Sequence, residues 1–181
     1  NLSKENTDAL KMGLPNLERH IENIRKFGLD VIVAINHFIT DTENEIKIIK
    51  EHCDKLEVKS SLCTHWTDGG KGAKDLAKYV VEMCKRNERD KFKYLYSEKT
   101  SILEKIEKIA KEIYKAKEIE VDEKTKEQIK KIEQAGFGKF PVCIAKTQYS
   151  FSTDPKLKGA PSGHTLSVRE VRLSSGAEFV V

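Results

Sequence analysis

An α/β fold, with a mostly parallel sheet and flanking helices, is what the 181-residue chain predicts, and three patterns predict it. Val31 to Ile35 is an uncharged, β-branched run of the kind found in strands covered on both faces. Strand-like and helix-like stretches alternate from Val31 to Cys84 as strand, helix, strand, helix, which calls for parallel pairing through right-handed crossovers. Further on, a helical pair is followed by a C-terminal β segment. The expected division is 1–97 for the βαβα segment, 98–135 for the helical pair and 136–181 for a strand, loop and strand.

The elements follow in order. Leu10, Leu14, Leu17, Ile21 and Ile24 recur at helical spacing, and Phe27-Gly28 closes that helix. Pro15 lies inside the pattern and predicts either a second helix start or a kink, since proline lacks the backbone donor. After the first strand, Asp41 to Glu45 offers capping residues for a helix through Ile46, Ile48 and Ile49 to Cys53. Leu56 to Leu62 predicts the second strand, and the loop Asp68-Gly69-Gly70-Lys71-Gly72 leads into a helix marked by Leu76, Ala77, Val80, Val81 and Cys84.

Ile102, Ile106, Ile109 and Ile113 form one face of the next helix, and Val121 turns the chain into another through Ile129 and Ile132. Their alternating Lys and Glu residues predict solvent-washed faces. Gly136-Phe137-Gly138 ends the pair. Pro141 to Ala145 predicts a short apolar strand, the turn-rich stretch around Asp154-Pro155 and Gly159 to Gly163 a loop, and Leu166 to Leu173 a half-exposed alternating strand.

Composition narrows the function classes. The chain is 38% hydrophobic and 34% charged, with 33 Lys and Arg against 29 Asp and Glu. A net charge of +4 spread along helices is no nucleic-acid stripe, so nucleic acid is not an expected partner. Cys53, Cys63, Cys84 and Cys143 form no C-x-x-C pair, and a reducing cytosol is the expected setting. No stretch approaches the roughly 20 apolar residues of a membrane span, so no membrane partner is expected. The first residue is not methionine and Glu178 to Val181 reads as a strand cut midway, from which an excised fragment is expected.

Ligand binding in open α/β sheets concentrates at the carboxyl ends of strands. Phe38 follows the first predicted strand and Trp66 the second, and the two rings suggest a clamp for a flat molecule. Both could instead be core residues, but Thr40-Asp41-Thr42 and Thr67-Asp68-Gly69 beside them are loop formers. Asn36 and Asp41 resemble base-reading residues after a strand, with spacing unlike N-K-x-D, and Asn36 could equally end a buried strand. Gly69 and Gly70 form either a weak phosphate loop or a flexible turn, because the lysine-hydroxyl pair of a P-loop is missing. No G-x-S-x-G elbow or catalytic cysteine context is present. His65 beside Trp66 and Cys63 invites a metal reading, but local residues assemble no four-ligand set, so no metal ligands are assigned.

Six segments together resemble one family. They are Gly13-Leu14-Pro15-Asn16-Leu17-Glu18-Arg19-His20, the run from Val33 to Glu43, the run from Trp66 to Gly72, Gly136-Phe137-Gly138, Pro141 to Ser150, and Val168-Arg169-Glu170-Val171. Order and content are similar to formate–tetrahydrofolate ligase across nearly the whole chain. The resemblance implies a P-loop NTPase-like fold and an enzyme that makes formyl phosphate from formate and ATP with magnesium, then formylates N10 of tetrahydrofolate. By position it assigns Phe38 and Trp66 to the two faces of the folate ring system. Asn36, Asp41, Gly69, Gly70, Lys146, Thr147 and Gln148 become candidates to line the cleft, and Lys71, Lys74 and Lys146 either line a path for the anionic folate tail or are ordinary solvated lysines.

The chain departs from the family pattern at Ile39, where proline is usual, and at His37, where a basic residue is common. The family's P-loop, with its phosphate-binding lysine and formyl-phosphate-binding basic residues, lies N-terminal to the matched region, so the resemblance implies that catalytic residues lie upstream and that the 181 residues alone are inactive, with no tightly bound cofactor. Cytoplasmic location, small-molecule substrates, the remainder of the same polypeptide as partner, and a homotetramer are also implied. Two further classes stay open: a non-catalytic oligomerisation or regulatory module on the Ser101 to Ala135 helices, and a GTPase-like nucleotide-binding domain on Asn36 and Asp41.

Overall fold

Asn6, Thr42, Ser101 and Asp122 begin four helices by the same chemistry: each side-chain oxygen accepts an N–H of the first turn. Thr42 and Ser101 complete capping boxes, with Glu45 and Glu104 reaching back to the cap backbone. The computed structural model describes residues 4–86 and 91–181, which pack as two units, Asn1–Lys93 and Tyr94–Val181.

In the first unit α1 (Thr7–Arg25) continues through Pro15 as one helix, so the expected second helix start does not occur. One missing donor in a 19-residue helix is outweighed by the remaining ladder and by burial of Ile21. Strand β1 (Ile32–Asn36) pairs in parallel with β2 (Lys59–Cys63), from Ile32 opposite Lys59 to Asn36 opposite Cys63. Helix α2 (Glu43–Lys55) packs on β2, and α4 (Lys74–Lys85) packs on both strands. Between β2 and α4 lie the single turn α3 (His65–Asp68) and a 3-10 turn, Gly69–Ala73. The core holds Ile21, Ile35, Cys53, Val58 and Cys63. Contrary to expectation β1 is not covered on both faces: Ile35 is buried while Ala34 and Asn36 are exposed. Val80 and Val81 on α4 are also exposed, because a two-stranded sheet is too narrow to cover that helix's whole apolar face.

In the second unit α5 (Ile102–Glu112), β3 (Glu118–Val121) and α6 (Glu123–Ile132) precede a π turn over Glu133–Phe137. Strand β4 (Thr165–Val168) pairs in parallel with β3, and β5 (Leu173–Ser174) pairs antiparallel with β6 (Phe179–Val180). The fold is therefore α/β with small parallel ladders. The expected continuous sheet is replaced by three two-stranded ladders among the described residues. Segments 98–135 and 136–181 share one core, because Ile102, Ile106 and Ile129 pack with Val171 and Val180.

Two further expectations are corrected here. Pro141 to Ala145 is not a strand; it makes one bridge, Val142 to Val180. Pro141 has no N–H to give, and both backbone groups of Val142 are taken by Tyr96, whose hydroxyl accepts from Val142 N at 2.8 Å and lies 3.2 Å from Val142 O. The helical faces are not entirely solvent-washed either. Lys105 is fully buried and its Nζ donates to the carbonyls of Gly138 at 2.9 Å and Phe140 at 3.1 Å, bracing the chain after α6.

Candidate functional site

Parallel pairing fixes where the first unit can present a ligand-binding surface. Since β1 and β2 run side by side in the same direction, the loops leaving Asn36 and Cys63 emerge at one end of the ladder. The His37 N–H donates to Cys63 O at 3.0 Å and carries the pairing one step further. Phe38 and Trp66 follow at once, and their side chains are 58% and 79% exposed, which rules out the core reading for both. Both large apolar rings are therefore exposed on loops that leave the same end of the ladder.

Each ring sits on a turn held by one aspartate. In the first turn Asp41 Oδ2 accepts from Phe38 N at 2.8 Å, and Asp41 N donates back to Phe38 O at 2.9 Å. In the second, Thr64 Oγ1 donates to Asp68 Oδ2 at 2.6 Å, and the N–H groups of Thr67 and Asp68 donate to Thr64 O at 3.0 and 2.9 Å. Gly72 closes the Trp66 loop from behind, its carbonyl accepting from Thr64 N at 3.1 Å. A Cβ at Gly72 would lie 2.4 Å from Thr64 C and 2.6 Å from His65 N, so no other residue fits there without moving the loop.

Asn36, Asp41, Gly69 and Gly70 thus belong to the same loop cluster as the two rings. Asn36 is exposed at the end of β1, Asp41 is committed to its turn, and Gly69 has a left-handed φ of 58°. Lys71 and Lys74 are exposed on the same connection. Cys63 and His65 have opposite surroundings: the thiol is buried and donates to Ser61 O at 3.7 Å, while the imidazole is exposed. Cys53 is the buried residue of α2, and burial, then the neighbouring Asp54, raises its thiol pKa, which favours the protonated thiol.

Lys146, Thr147 and Gln148 lie in the second unit, where they line a cleft of about 720 Å³. Thr147 is an internal loop brace: its hydroxyl donates to Ser152 O at 2.8 Å and accepts from Tyr149 N at 3.0 Å. Gln148 Nε2 donates to Tyr149 Oη at 2.6 Å. Tyr114, Arg169 and Arg172 on the same cleft were missed by sequence reasoning. Nothing in their local pattern separates them from core or solvated residues; Arg169 follows β4, Arg172 exchanges backbone hydrogen bonds with Val181 and Tyr114 follows α5, so only the tertiary fold gathers them.

Comparison with known proteins supplies an independent line. The family model described as formate–tetrahydrofolate ligase matches residues 1–181. Among curated relatives, the formate–tetrahydrofolate ligase of Pelagibacter ubique is 63% identical over 180 residues, covering 99% of this chain and 32% of its own length. Those of Hyphomonas neptunium and Beijerinckia indica are each 55% identical, with 99% of this chain and 32% of their own length covered. The chain therefore spans about a third of the length of the relatives it matches.

Proposed function

The chain belongs to the formate–tetrahydrofolate ligase family, and we propose that it supplies the folate-holding loops of such a ligase. In this reading the whole enzyme, P-loop NTPase-like in fold, is a cytoplasmic homotetramer that joins formate to tetrahydrofolate at the expense of ATP and magnesium, through formyl phosphate. Phe38 and Trp66 hold the pterin between their faces, leaving its edge open to hydrogen bonds from groups such as Asn36. Two preformed π surfaces suit a planar heterocycle because stacking is attractive over the whole ring area and costs few rotamers.

The observation that carries the reading is the exposure of both rings on the loops leaving adjacent parallel strands. Among the described residues no three His, Cys, Asp or Glu side chains gather to hold a metal ion, so no step is routed through magnesium here. Formyl transfer needs the acyl phosphate brought into near-attack geometry with the folate amine, and that positioning is assigned to residues outside this chain.

Trp66 is the sole tryptophan, so indole fluorescence reports this loop alone. Tetrahydrofolate is expected to quench it saturably, Phe38→Ala to weaken the effect about tenfold, and the 181-residue chain to show no ATP-dependent formylation. Absence of quenching, or equal affinity in Phe38→Ala, contradicts the clamp. Turnover by the isolated chain contradicts the division of labour.

A further inference from the structure

The cleft of the second unit has the make-up of a ligand site rather than of a packing defect. Its volume, about 720 Å³, is that of a pocket for a molecule of two or three rings. Val142, Ile144, Leu166 and Val168 make its walls apolar. Its charged lining is unbalanced: Glu170 is the single acid, and it is already 3.1 Å from Arg172 Nε. Lys146 and Arg169 have no ion-pair partner among the described residues.

Tyr114 adds a hydrogen-bond donor to the same cleft. Its side chain is 8% exposed and packs edge-on against Phe151 at 6.2 Å, yet its hydroxyl has no hydrogen-bond partner among the described residues. The hydroxyl is not one of the buried unpaired polar atoms; it opens onto the cleft, where a ligand or water can accept its proton. Burial, and then Cys143, raises the Tyr114 pKa, so the hydroxyl remains a donor at neutral pH.

We propose that this cleft binds an organic anion with a flat apolar body, its rings against the Val142 and Leu166 walls and its anionic head between Lys146 and Arg169. The Tyr114 hydroxyl donates to the same ligand from within. Such a site uses the apolar walls for affinity and the two cations for selection of charge, since a neutral molecule of equal size gains nothing from them. The inference goes beyond the folate reading and does not involve Trp66.

Cys143 supplies the reporter, because it lines the cleft and is exposed while Cys53 and Cys63 are buried. In a Cys84→Ser background, iodoacetamide then reads Cys143 alone. The probe is 8-anilinonaphthalene-1-sulfonate, with the uncharged N-phenyl-1-naphthylamine as its counterpart. The expected result is saturation at one sulfonate probe per chain, with Cys143 alkylation slowed at least fivefold. Lys146→Gln with Arg169→Gln should weaken the sulfonate probe roughly tenfold and the neutral one less than twofold. Both residues are exposed, so these variants test charge without disturbing the core. Binding of the sulfonate probe that leaves Cys143 unprotected, equal affinity for both probes, or unchanged affinity in the double variant overturns the proposal.

Discussion

Phe38 and Asp41 hold one another through two reciprocal hydrogen bonds, 2.8 Å from Phe38 N to the Asp41 carboxylate and 2.9 Å from Asp41 N to Phe38 O. Asp41 is thereby a positioning residue for the exposed ring. Asp41→Ala is expected to weaken tetrahydrofolate about fivefold, since an exposed charge-assisted bond of this type contributes about 1 kcal/mol. Asp41→Asn keeps an acceptor and should restore most of the affinity. Equal losses in the two variants, by titration of Trp66 fluorescence, contradict this role.

At Gly72 the expected failure is steric. Gly72→Ala forces a methyl against Thr64 and His65 backbone, opening the Thr64 to Asp68 bracket. A loss of about 2 kcal/mol or more is expected, read as a lower thermal midpoint. The Trp66 emission should shift even well below that midpoint. An unaltered emission maximum contradicts the link between Gly72 and the ring.

Lys105 tests a buried cation. Burial lowers its pKa, and Glu98 and Glu133 oppose that shift. Lys105→Met fits the space but leaves the carbonyls of Gly138 and Phe140 without their donor, and a loss of roughly 2–4 kcal/mol is expected in denaturant unfolding. Stability equal to that of the unaltered chain contradicts a bracing role.

Acid stability follows from the helix caps. Hydrogen bonds from the Asn6 and Thr42 backbones lower the pKa of Glu45, the Ser101 backbone lowers that of Glu104, and Thr125 lowers that of Asp122. A carboxylate with a depressed folded pKa adds stability that is complete above its unfolded value, about pH 4 to 4.5, and is lost as pH falls through the folded value. The thermal midpoint should therefore drop steadily below about pH 4.5, less steeply in Glu45→Gln and Asp122→Asn. Identical slopes in these variants contradict the assignment.

Legibility differed by element. The β1, α2, β2, α4 order could be read because its signals are local: an uncharged β-branched run, a Thr42 and Glu45 capping box, and apolar periodicity. Strand β3 was missed although Glu118-Ile119-Glu120-Val121 alternates strictly. It is only four residues long, and what makes it a strand is pairing with Thr165 to Val168, where Thr165 and Ser167 hydroxyls donate to Glu118 and Glu120 at 3.1 Å. Burial of Lys105 was equally hidden, since its flanking Lys and Glu pattern is that of an exposed face.

Chain chemistry alone determined the helix starts, the two strands that precede Phe38 and Trp66, and the family, because caps, periodicity and motif order are properties of neighbouring residues. Tertiary structure decided that both rings are exposed, that Asp41 and Asp68 serve turns, and that Tyr114, Lys146 and Arg169 share a cleft. Those outcomes depend on which distant segments pair, and the energy of pairing is spread over contacts that no short window contains.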